Sequence, residues 1–134
     1  MSEPVRKLRG ARVTAALMGL FGLVSLLATG AILLNIGEAR EEAGFYIPVV
    51  VWMNFFAAIL YLLAAYGLMK YQPWTPAAIL IAAVLLVVAA IGFYLHVQTG
   101  GDYEPRTIGA LAFRFFATMI LYAAARYYVR PSIP

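Results

Sequence analysis

The chain has 134 residues, of which 64% are hydrophobic and 12% charged, with a net charge of +4 and a mean hydropathy of +0.86. Soluble domains run at about 45–50% apolar and about 25% charged; a chain of this size has no core that could hide the surplus, so lipid is the expected solvent. The lack of cysteine excludes disulfides, thiolate metal centres and dithiol redox chemistry, and one histidine cannot ligate a haem from both sides.

The N-terminal segment carries Arg6, Lys7, Arg9 and Arg12 and runs into an apolar stretch at about 13–36. That stretch is too long for the apolar part of a signal peptide, and no convincing A-x-A site follows, so it is expected to stay in the protein. Further apolar runs follow at about 48–69, 75–97 and 107–129. Each is close to the ~20 residues that cross a ~30 Å hydrocarbon layer. Backbone groups in lipid must bond within their own segment, so the spans are predicted to be helices. Gly37, Gly44 and Pro48, then Pro73 and Pro76, then Gly100, Gly101 and Pro105 punctuate the breaks. The expected fold class is all-α: one polytopic domain over residues 1–134, four transmembrane helices arranged as two helical hairpins.

Orientation is read from Lys and Arg. Seven of the ten flank one face: Arg6, Lys7, Arg9, Arg12, Lys70, Arg126 and Arg130. The other two connections hold only Arg40 and Arg106, together with Glu38, Glu41, Glu42, Asp102 and Glu104. Both termini are therefore expected to be cytoplasmic, in a bacterial inner membrane. The hairpins also look alike. GFYIP (44–48) and GDYEP (101–105) share G-x-Y-x-P, and ILYLLAAY (59–66) resembles ILYAAARY (120–127). An internal duplication with both copies in one orientation would make Asn54 and Arg114 equivalent positions; chance recurrence of common membrane residues is the alternative.

Arg114 is the one permanent cation inside an apolar run, eight residues or roughly 12 Å along a helix from Arg106. Thr107, Ala110, Ala117 and Thr118 share its face, and small faces pack against other helices, so Arg114 is expected to look into the bundle. Helix one offers a similar face in Ala15, Gly19, Gly22, Ser25 and Thr29, and helix two in Asn54, Ala57, Ala58 and Tyr61. Asn54, His96 and Arg114 fall at similar depth, near Tyr46, Tyr103, Asp102, Glu104 and Glu42. These eight residues form the candidate polar cluster. Arg114 has three readings within it: snorkelling to the head groups, pairing with a loop carboxylate such as Glu104 or Glu42, or holding a ligand. The bland readings of the others are helix–helix bonding for Asn54, an interfacial position for His96, and a membrane-interface belt for the aromatics.

No phosphate-binding loop, nucleophile elbow, zinc-protease motif or paired carboxylate lies within a span. No enzyme activity, cofactor, metal or nucleic-acid partner is therefore expected. The first functional expectation is a non-catalytic accessory or assembly subunit, touching membrane lipids and either other membrane subunits or copies of itself. The alternative is a small carrier or binding protein with an outward-facing pocket for an anionic or amphipathic ligand, such as a quinone or a lipid head group.

Overall fold

The computed structural model describes residues 3–38, 41, 44 and 47–129. Four helices follow one another: α1 (Glu3–Leu34), α2 (Pro48–Met69), α3 (Thr75–Gln98) and α4 (Arg106–Tyr128). All four are long and apolar enough to cross a membrane. The helix α1 starts at Glu3, well before the apolar run at 13, because hydropathy marks a solvent boundary and not the end of helical bonding. Arg, Lys, Leu and Ala between residues 5 and 12 all favour helix, and Pro4 sits in the first turn, where its missing N–H costs nothing.

The first three helices end in the same way. Asn35 (φ 55°), Tyr71 (φ 52°) and Gly100 (φ 85°) turn left-handed. The N–H of the next residue then returns to a carbonyl five positions back: Ile36 to Ala31 at 2.9 Å, Gln72 to Gly67 at 2.8 Å and Gly101 to His96 at 2.9 Å. These closures satisfy the last carbonyls of each helix and reverse the chain sharply.

Helices adjacent in sequence pack side by side, while α1 and α4 touch only sparsely. The buried stripe of α1 is Ala11, Ala15, Met18, Gly22, Ser25 and Thr29, spaced alternately by four and three. It is made mostly of small residues, which let backbones approach. Gly22 is the closest point: a Cβ there would stand 3.0 Å from the Tyr61 Cβ and 3.1 Å from the Ala58 carbonyl oxygen. The helix α4 buries only Leu111, Thr118 and Ala125, seven residues apart, so a single narrow seam holds it. On its outer side Phe113, Phe116 and Ile120 are 65, 67 and 70% exposed. Water does not tolerate such a surface over a whole helix, whereas acyl chains do.

At one end of the bundle Gly10 lies against Tyr128 and Gly67 against Thr75 and Trp74; at the other, Gly44 lies against Glu104. The connections 35–47 and 99–105 thus share one end, and the 70–74 turn shares the other with the start of α1 and the finish of α4. Replacing Gly22 by Leu should lower unfolding stability in detergent by about 1–3 kcal/mol, since the added side chain must separate α1 from α2. An unchanged thermal transition for Gly22→Leu would show that the two helices do not meet there.

Candidate functional site

The α4 face that carries Arg114 turns toward α1 and α2. The Arg114 Nη1 donates to the Ser25 hydroxyl at 2.7 Å. The guanidinium carbon lies 5.4 Å from the centroid of the Phe21 ring, one helical turn before Ser25. Phe21 in turn meets Tyr61 with centroids 5.0 Å apart and Phe113 edge-on at 6.4 Å. A cation over an aromatic face is attracted by the ring quadrupole, more strongly when water is excluded.

Behind the guanidinium, a hydroxyl chain ties α2 to α4. The Thr118 hydroxyl donates to the Arg114 carbonyl at 2.5 Å, which uses its only hydrogen. The Tyr61 hydroxyl is also bonded to Thr118 Oγ1, so Tyr61 must be the donor. Tyr61 and Thr118 are both wholly buried. On the same turn of α1 the Ser25 backbone carbonyl accepts the Thr29 hydroxyl at 2.7 Å.

Beside this cluster, between α1, α2 and α4, lies a cavity of about 610 Å³. Arg114, Arg106, Thr107, Asn54 and Thr29 supply its polar groups, and residues such as Ile32, Val50 and Leu111 its apolar wall. The first turns of both α2 and α4 border it; neither carries an acidic residue or a side-chain cap. Two positive helix ends therefore border one space together with the side chains of Arg114 and Arg106. Among the described residues, no carboxylate lines it. Asn54 brings a further polar group, and its Oδ1 is buried without a hydrogen-bond partner.

The rest of the expected cluster divides. His96 Nε2 meets the backbone carbonyl of Asp102 at 2.8 Å, which fastens the α3–α4 connection to the end of α3. Asp102 thus contributes its main chain to that bond. Tyr103 packs edge-on against Phe93 at 5.4 Å. Glu104 lies over Gly44 and joins the two connections at this end. Of the three readings of Arg114, pairing with Glu104 is not what is found, since its side-chain hydrogen bond goes to the Ser25 hydroxyl. Tyr46 and Glu42 lie outside the described residues. Among the described residues, no three His, Asp or Glu side chains come together as metal ligands.

Arg114 and Asn54 share the cavity, while His96, Asp102 and Tyr103 belong to a loop clasp. Sequence reasoning placed Ser25, Tyr61 and Thr118 on small interior faces but did not pick out Phe21. Its signal was its position four residues before Ser25, on the helix face that the arginine meets. Compared with known protein families, with characterised proteins and with solved structures, the chain shows no match.

The hydroxyl chain has a signature. Thr118→Val keeps the shape but leaves the buried Tyr61 hydroxyl without an acceptor, and should cost about 1–3 kcal/mol. Adding Tyr61→Phe should recover most of that loss, because both polar partners are then gone. Unfolding of the two single variants and the double in detergent measures the coupling; strictly additive losses would contradict the bond.

Proposed function

We propose that this chain is a four-span integral membrane protein of a bacterial inner membrane, with both termini cytoplasmic, that binds an amphipathic anion in the Arg114 cavity. The observation that carries this reading is a guanidinium set inside an apolar bundle with only one side-chain hydrogen bond, to a neutral hydroxyl, and no carboxylate partner among the described residues. A guanidinium has five N–H donors and stays charged in proteins, so it demands negative charge when taken from water. The apolar wall suits the chain or ring that such a ligand would carry, and the sparse α1–α4 contact gives a side route from the lipid. The Lys and Arg distribution supports the topology, which puts the cavity in the outer half of the membrane. In an internal duplication, Asn54 and Arg114 would be the paired polar positions of the two hairpins.

Detergent-solubilised protein titrated with a single-chain lysophosphatidic acid, and separately with a short-tailed quinone, tests the reading. The phosphate ligand should stabilise the fold saturably, by about 2.7 kcal/mol at a hundredfold excess over its Kd. Arg114→Gln should abolish the stabilisation, and Arg114→Lys should keep part of it. Stabilisation by the quinone alone would make the ligand a redox-active ring and not an anion. Equal responses from wild type and Arg114→Gln would contradict the site.

A second reading, an accessory subunit or self-associating protein, is favoured by α4, which buries three of its 23 residues and leaves a Phe- and Ile-rich flank open. A stoichiometric membrane partner recovered from native membranes in mild detergent would support it.

A further inference from the structure

A second cavity, of about 470 Å³, lies between α1 and α2 at the end of the bundle away from Arg114. Ala15, Ala16 and Ala65 form its floor, and Arg12, Lys70 and Tyr66 stand at its edge. The slot exists because three alanines meet where larger side chains would fill it. Gly19 continues the small surface along α1, its missing Cβ position 3.6 Å from the Ala65 Cβ.

The charge here is one-sided. Arg12 stands on α1 and Lys70 caps the end of α2, both are exposed, and among the described residues no carboxylate lines the slot. The described acidic side chains Glu38, Glu41, Asp102 and Glu104 belong to the connections at the opposite end. The negative carbonyl end of α2 is moderated here, since the carbonyls of Tyr66, Leu68 and Gly67 accept the N–H groups of Lys70, Tyr71 and Gln72. Lys70 is held at the helix end by its own N–H, bonded to the Tyr66 carbonyl at 3.1 Å. Tyr66 is 59% exposed, with an apolar ring and a polar tip suited to the depth of lipid head groups.

We infer that this slot seats an anionic phospholipid of the leaflet on the terminus side, its phosphate between Arg12 and Lys70 and an acyl chain over the alanine floor. A free phosphate would find the two cations but would leave the apolar floor uncovered. A zwitterionic phosphatidylcholine would bring its own cation against two others. The site stands apart from the Arg114 cavity: it lies at the other end of the bundle and uses α1 and α2 only. Each cation near an anionic head group strengthens binding by about fivefold.

The full chain carrying Arg114→Gln, so that the other cavity does not contribute, is titrated in neutral micelles with phosphatidylglycerol or phosphatidylcholine, and bound lipid is counted by native mass spectrometry. Phosphatidylglycerol should bind more tightly. Arg12→Gln and Lys70→Gln should each weaken it about fivefold and leave phosphatidylcholine unchanged, whereas Arg12→Lys should hold it. Both changed positions are exposed, so the variants should melt as their parent does. The inference is overturned if the double variant keeps its preference for phosphatidylglycerol, if only replacement of Arg6, Lys7 and Arg9 removes that preference, or if inorganic phosphate at equal concentration displaces the lipid.

Discussion

A guanidinium that cannot be discharged sits inside an apolar helical bundle, and much of the molecule is arranged around it. Arg114 reaches a hydroxyl on α1 and an aromatic ring one turn away, while its backbone carbonyl accepts the end of a hydroxyl chain from α2. Those contacts cross between helices that otherwise meet little, since α1 and α4 touch only sparsely. The same residue therefore joins α4 to the rest and leaves a space beside the joint. None of its described partners carries negative charge, so the bonds orient the cation without neutralising it. An arginine set in this way differs from one in a buried ion pair, where the charge is already spent on its partner.

The packing explains why the space survives. Helices α1, α2 and α3 approach closely through Gly22, Ala57, Ala58, Ala64 and Ala82, and small residues permit that approach without a water-driven collapse. The α4 seam has one buried residue every seven and cannot close the bundle along its whole length. The shared ends of the bundle are fixed independently, by Glu104 over Gly44 and by Tyr128 over Gly10. The cavity thus lies between the α1–α2 pair and a fourth helix that meets the others at its ends and at Arg114. In the proposed topology the two positive features of the molecule serve different leaflets: the Arg114 cavity the outer one, the Arg12 and Lys70 slot the inner one.

Much of the fold was legible in the sequence because the decisive quantity, an apolar run of spanning length, is local. Pro48 and Pro76 mark helix starts through their fixed φ and missing N–H, and they do so in the structure, while Pro105 precedes the first residue of α4. The start of α1 was not legible, because the basic residues before position 13 change the solvent but not the helix. Small interior faces could be read from spacing, and Ser25, Tyr61 and Thr118 are indeed buried on them. The partner of Arg114 could not be read, because which turn of α1 lies opposite which turn of α4 is a matter of register between helices, and Ser25 and Arg114 are 89 residues apart in the chain. Carboxylates looked like the natural partners on charge alone, but Glu104 is held at the loop end, over Gly44. The bond of His96, to the Asp102 main chain, likewise depends on a loop conformation that spacing does not encode.

The chain contains no cysteine, so a single introduced thiol reports without background. Ala110 lines the cavity one turn before Arg114, whereas Phe116 is 67% exposed on the outer flank of α4. Modification of Ala110→Cys in sealed vesicles by a membrane-impermeant methanethiosulfonate tests the central claim most directly. Reagent on the side away from the termini should label Ala110→Cys and spare Phe116→Cys, and lysophosphatidic acid should protect the thiol only while Arg114 is present. Labelling from the terminus side, or protection that persists in Arg114→Gln, would contradict a cationic cavity open to the opposite side.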